Sequence, residues 1–174
     1  LVLIDALDSH RGHEMTLAVG TGATQSIILD IAQHLKQSLS GISCAYHVND
    51  RQFCFMLKTS MPDYELFVHR LIDRLRATTR SDSALTSPSP RAGMVIFQHD
   101  PLSHADLLRK AMHAVESAHQ ANTHWALYDI ARDCAWRRAF TLARDVDRAL
   151  ASDQMYLVLQ PRFSLLEGRR VSAE

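Results

Sequence analysis

At 174 residues, 47% hydrophobic and 22% charged, the chain has the makeup of a soluble globular protein with room for one proper core and a short piece of another domain. Its 19 basic and 19 acidic residues cancel, which removes any global field that would gather nucleic acid or an anionic membrane; only the 10 His could tip the balance, in mild acid. No apolar run approaches the ~20 residues of a membrane span. The opening Leu1-Val2-Leu3-Ile4 has no charged region before it and does not read as a signal peptide; both ends look cut from a longer chain. Cys44, Cys54 and Cys134 are odd in number and lack metal-site spacing, which fits a reducing, cytosolic setting, though a parent chain could be membrane-anchored upstream.

In chain order, residues 1–7 predict a buried strand, followed by a polar, irregular stretch through Gly22. From about Gln25 to Leu39, Ile27, Ile28, Ile31, Leu35 and Leu39 recur at helical spacing and predict an amphipathic helix. ISCAYHV and RQFCFML, two β-rich runs split by Asn49-Asp50, predict a tight hairpin with that pair as its turn. The hairpin would put Cys44 and Cys54 on opposite sheet faces, so no disulfide is expected between them. Ser60 and Asp63 have N-cap spacing with Pro62 in the first turn, opening a helix to about Ala77 that turns Tyr64, Val68, Leu71 and Leu75 inward.

The Ser/Pro-rich stretch 78–90 predicts an exposed loop, and 92–97 a strand. Ser103 with Asp106 starts a helix carrying Leu107, Leu108, Ala111, Met112 and Val115. A strand follows at 124–129. A long helix over about 130–151 then shows Trp136, Phe140, Ala143, Val146 and Leu150 on one stripe. Residues 155–161 predict a strand, and Leu166 to Arg169 a turn into another. Through residue 129 the order is β-α-β-β-α-β-α-β, which implies an α+β, ferredoxin-like, mostly antiparallel sheet of about five strands with helices packed on it.

Several strings, in this order, resemble a GGDEF domain, the nucleotide-cyclase-like fold that in active members condenses two GTP into cyclic di-GMP. LVLIDALD resembles the family's opening strand, with Asp5 at its first metal-binding acid. VGTGATQ (19–25) resembles LGHxxGD ahead of the first long helix, and NDRQF (49–53) occupies the turn that names the family. AGMVI and residues 107–129 resemble the later strand, helix and last strand. After the helix, residues 157–174 resemble the opening of an EAL domain, a cyclic di-GMP phosphodiesterase, with Gln160-Pro161 at its YQP string and Glu174 at the Glu of EAL. The resemblance implies a degenerate GGDEF domain over 1–130, a connecting helix over 131–152 and an EAL fragment over 153–174.

Joining two nucleotides requires metal ions that bridge phosphates, and hard Mg²⁺ requires carboxylate oxygens. The resemblance implies three acids, at the positions of Asp5, Arg51 and Gln52; only Asp5 is acidic. Arg51 puts a cation where a dication should bind, a repulsion of at most roughly 8 kcal/mol at about 4 Å and an effective dielectric near 20. Asn49 and Asp50 replace the two glycines whose bare backbone would approach a phosphate. The guanine-reading positions fall on Thr16 and Gln25, the phosphate-holding cations on Ala118 and Asn122, and the product-inhibition site on Ser40 and Ser43. Asn49, Asp50, Arg51, Gln52 and Phe53 are therefore a vestigial turn, Asp5 a vestigial ligand, and no metal, cofactor or GTP condensation is expected.

Other features have plainer readings. Asp5 would be a strand-end polar residue, and His10 and His13, at HxxH spacing without a third ligand, loop histidines. The Trp136/Phe140 stripe would pack on its own domain, and the pairs Arg137-Arg138 and Arg169-Arg170 would be solvated. At a hairpin tip, Arg51 could bind an anion or form an ion pair within the domain. Gln160 and Glu174 would carry function only beside a complete EAL domain. The leading reading is a catalytically inactive regulatory or dimerising module, able to pair with a second copy and acting beside an adjacent EAL domain. The competing readings are a residual cyclase or GTP binder, and an unrelated ferredoxin-like protein-interaction domain.

Overall fold

The computed structural model describes the chain apart from residues 8, 59, 79–88, 99–102, 153, 157, 165, 167 and 174. It divides into two compact units, Leu1–Ile130 and Ala131–Glu174. In the first, β1 (Val2–Asp5), α1 (Ser9–Val19), α2 (Thr21–Ser38), β2 (Tyr46–Asn49), β3 (Gln52–Phe55), α3 (Tyr64–Thr78), β4 (Arg91–Met94), α4 (His104–Gln120) and β5 (Trp125–Leu127) follow one another. Their sheet has the order β2-β3-β1-β4-β5 and is antiparallel except between β4 and β5. The α4 crossover makes that last pair parallel. This is the expected α+β architecture.

Alternation along β1 assigns its residues to two layers. Val2 and Ile4 join Phe53, Phe55, Ala92 and Met94 on one face, beneath Ile31, Leu35 and Leu39 of the α2 region and Val68, Leu71, Ile72 and Leu75 of α3. Leu3 faces the other way and packs with Val95 and with Ala111 and Val115 of α4. Gly93, opposite Leu3 in register, lets α4 sit directly on the sheet. A Cβ there would overlap the Ala111 carbonyl oxygen and lie 2.5 Å from the Val115 nitrogen.

Several elements depart from expectation. Residues 9–19 form helix α1 rather than an irregular stretch, so His13 is helical and not a loop residue. This helix lacks an apolar stripe and is held locally: the Thr16 hydroxyl donates to the Gly12 carbonyl (2.8 Å) and meets the Thr24 hydroxyl of α2 (3.2 Å). α2 begins at Thr21, after Gly20 turns the chain at φ 87°. α3 begins at Tyr64, so Ser60 and Pro62 precede it, and the Asp63 carbonyl accepts the first helical bond, from Phe67 N at 2.9 Å.

β4 starts at Arg91, one residue before the expected strand, and ends at Met94. α4 is capped as expected, Asp106 N donating to the Ser103 hydroxyl at 3.1 Å, but Met112 is exposed. The loop expected over 78–90 lies largely outside the described residues. All three cysteines are free.

In the second unit, α5 (Ile130–Ala151) has the expected bounds. Its stripe is exposed, with Trp136 at 51% and Phe140 at 72%. The strand expected to begin over 155–161 starts only at Pro161: β6 (Pro161–Phe163) pairs antiparallel with β7 (Arg170–Ala173) across the expected turn, where Gly168 takes φ 61°. No helix is long and apolar enough to cross a membrane among the described residues.

The close approach at Gly93 makes a sharp prediction. Gly93→Ala should destabilise the chain by at least about 2 kcal/mol in denaturant unfolding, because the clash is with helix backbone that cannot rotate away. Gly22→Ala, in α2 with open space around it, should be neutral or stabilise by up to about 1 kcal/mol.

Candidate functional site

The hairpin turn consists of Asp50 and Arg51, one residue later than expected, with Asn49 paired to Gln52 across a local irregularity in register. The Asn49 side chain organises this turn. Its Oδ1 accepts from Arg51 N (3.2 Å) and Gln52 N (3.1 Å), and its Nδ2 donates to Gln52 Oε1 (2.8 Å). A side-chain oxygen thus takes the part of a backbone carbonyl, which suits Asn at the mouth of a turn. Asn49 and Asp50 are exposed, Gln52 and Phe53 are buried, and the Phe53 ring stacks on His47 with centroids 4.9 Å apart.

The tip folds back onto β1. Ala6 N donates to the Arg51 carbonyl (2.9 Å), extending the ladder past the strand end, and Arg51 Nε lies 3.2 Å from Asp5 Oδ1. Asp5 is a buried carboxylate whose neighbours in register are Gln52 on β3 and Arg91 on β4. His119, in the last turn of α4, brings Nε2 to 3.9 Å from Asp5 Oδ2, beyond hydrogen-bond reach. Arg51 thus forms an ion pair within the domain.

Arg91 completes this polar end of the α4 layer. Its Nη1 donates to the carbonyls of Ala118 (3.0 Å) and Thr123 (2.5 Å), and its Nη2 to Asn122 Oδ1 (2.8 Å). A guanidinium at a helix C-terminus meets carbonyls that lack helical partners and the negative end of the helix dipole. Ala118 and Asn122, the residues expected at the phosphate-holding positions, serve here as acceptors that anchor Arg91.

The remaining expected site positions do not converge on Asp5 through any contact among the described residues. Thr16 bonds within the α1–α2 pair, Gln25 is exposed on α2, and Ser40 and Ser43 follow α2. Gln160 is exposed ahead of β6, and Glu174 lies outside the described residues. Sequence reasoning missed Arg91 and His119. The signal for Arg91 was a lone cation at the start of an apolar strand, a place where a charge needs buried acceptors.

A second polar cluster lies on α3 and just before β5. His69 Nε2 is 3.4 Å from Asp73 Oδ2, His124 Nδ1 is 3.0 Å from Asp73 Oδ1, and the two imidazoles stack with centroids 5.1 Å apart. Burial, and then the nearby Arg76, holds the His124 imidazole below its usual range.

No protein-family model matches the sequence, and no curated protein matches it significantly. Solved structures do match. A GGDEF domain from Pseudomonas aeruginosa is 17% identical with a TM-score of 0.62, over 74% of this chain and 81% of that one. The active GGEEF domain of a diguanylate cyclase from Vibrio cholerae is 15% identical with a TM-score of 0.56, over 74% and 81%. A Vibrio cholerae LapD structure of S helix, GGDEF and EAL, bound to c-di-GMP, is 13% identical with a TM-score of 0.55, over 99% of this chain and 40% of that one. The chain has the fold of GGDEF domains, the diguanylate cyclase-like fold.

Proposed function

We propose that this chain is a catalytically inactive GGDEF-type domain, a regulatory or dimerising module that modulates an adjacent EAL phosphodiesterase domain in a cyclic di-GMP signalling protein. The observation that carries the reading is the ion pair between Arg51 and Asp5. The one acid left at the family's metal position is engaged by a guanidinium 3.2 Å away, and its neighbours in register are an amide and a second guanidinium. A dication entering here would have to displace Arg51 and would find one carboxylate where it needs several oxygens. Asn49 and Asp50 fill the glycine positions with side chains, and Asn49 is committed to holding the turn.

The regulatory half of the reading draws on two further observations. Trp136 and Phe140 are exposed on α5, a surface suited to a partner domain or a second copy. The LapD structure, which carries an EAL portion after its GGDEF portion, aligns with nearly all of this chain. The segment over 153–174 is assigned on this reading to the opening of an EAL domain.

Calorimetry of this chain with GTP and Mg²⁺ should give no saturable micromolar binding, and an assay at millimolar Mn²⁺ should yield no cyclic di-GMP. Saturable micromolar binding, or measurable product, would sink the inactive-module reading.

If the Asp5–Arg51 pair is structural, its two halves should differ in cost. Arg51→Ala leaves a buried carboxylate without its guanidinium and should destabilise by about 1–3 kcal/mol. Asp5→Asn frees a partly exposed Arg51 to water and should cost less. Chemical denaturation of both variants reads the order directly, and the reverse order would mean that Asp5 is held by something other than Arg51.

A further inference from the structure

His69 and Asp73 stand one helical turn apart on α3, so both project from the same face, and His124 meets them from the segment between α4 and β5. Their donor atoms all lie within 4.8 Å of one another. His69 Nε2 lies 3.4 Å from Asp73 Oδ2 and His124 Nδ1 lies 3.0 Å from Asp73 Oδ1, each nitrogen facing a different oxygen of the carboxylate at a separation close to a tetrahedral edge. For a metal with bonds of about 2.0–2.1 Å that edge is roughly 3.3 Å. We propose that His69, Asp73 and His124 form a binding site for a divalent cation of the Zn²⁺ class, with water completing the coordination.

The donor set selects the ion. Two imidazole nitrogens and one carboxylate suit Zn²⁺, Ni²⁺ or Cu²⁺, whereas Mg²⁺ and Ca²⁺ prefer oxygen throughout. The site is therefore chemically distinct from the Mg²⁺ position that Asp5 would mark, and it does not depend on whether the chain turns over nucleotide. Of the two arginines whose charge reaches His124, Arg76 directs Nη2 to the Ser89 hydroxyl at 3.2 Å and Arg91 is bonded to the Ala118 and Thr123 carbonyls. A bound ion would staple α3 to the three-residue edge strand β5.

Titration of Zn²⁺ into the metal-stripped chain at neutral pH tests this. One saturable site per chain is expected, together with a higher melting temperature in Zn²⁺ and, with Co²⁺ as a probe, visible bands of a tetrahedral centre. Asp73→Asn and His124→Ala should each weaken binding at least about tenfold, the lower end of what losing even an outer-shell partner costs. Both positions are partly exposed, and circular dichroism will show that the variants fold. The double variant His10→Ala/His13→Ala should leave binding unchanged. Absence of a stoichiometric site, persistence of full affinity in Asp73→Asn and His124→Ala, or loss of binding in the His10/His13 variant would overturn the proposal.

Discussion

The contact on which the candidate site turns is the 3.2 Å approach of Arg51 to Asp5. A carboxylate at the end of a central strand, buried as Asp5 is, must be matched by positive charge or by donors, because isolation in a low-dielectric interior costs several kcal/mol. In a metal-dependent enzyme a dication would supply that match. Here the hairpin supplies it from its own tip, through a guanidinium carried on the same chain. An ion from solution would compete with a charge that is always present.

The same economy extends across the sheet. Gln52, Asp5 and Arg91 are neighbours in register on three adjacent strands, all buried, at the polar end of the layer that Leu3, Ala111 and Val115 fill. Gly93 brings the α4 backbone against β4, which sets the last turn of the helix near the strand ends. Ala118 and Thr123 can then present their carbonyls to Arg91, and His119 can stand beside Asp5. The close packing of an apolar layer thus determines the geometry of a charged one. A residue without a side chain is as much a part of the site as the residues that carry charge.

What the sequence made legible follows from how local the signals are. The long amphipathic stripes of α2 and α3, the Ser103 cap and the hairpin are each encoded within a few residues, and all formed. The turn was misplaced by one residue because Asn49 looks like a turn residue. It acts from the flanking position instead, by lending its side-chain oxygen to the two following amides. Helix α1 was missed because its residues make no apolar stripe. The run over 155–161 is rich in strand formers, but β-propensity yields a ladder only where a partner strand exists. Arg91, His119 and the His69–Asp73–His124 cluster were invisible for one shared reason. Their partners lie on other elements, and only the fold brings them together.

The hairpin separates two demands that are usually read as one. A tight turn between central strands needs residues that tolerate the bend and a registered ladder on either side, and Asn49, Asp50 and the Phe53–His47 stack meet that demand. A nucleotide site needs bare backbone and clustered carboxylates at the same residues, a requirement that costs the fold stability because like charges repel. Here an arginine stands 3.2 Å from the buried aspartate, and the hairpin's residues meet the first demand. The result keeps the sheet, the hairpin and the crossover of the family's fold. At the strand ends its charges answer to one another.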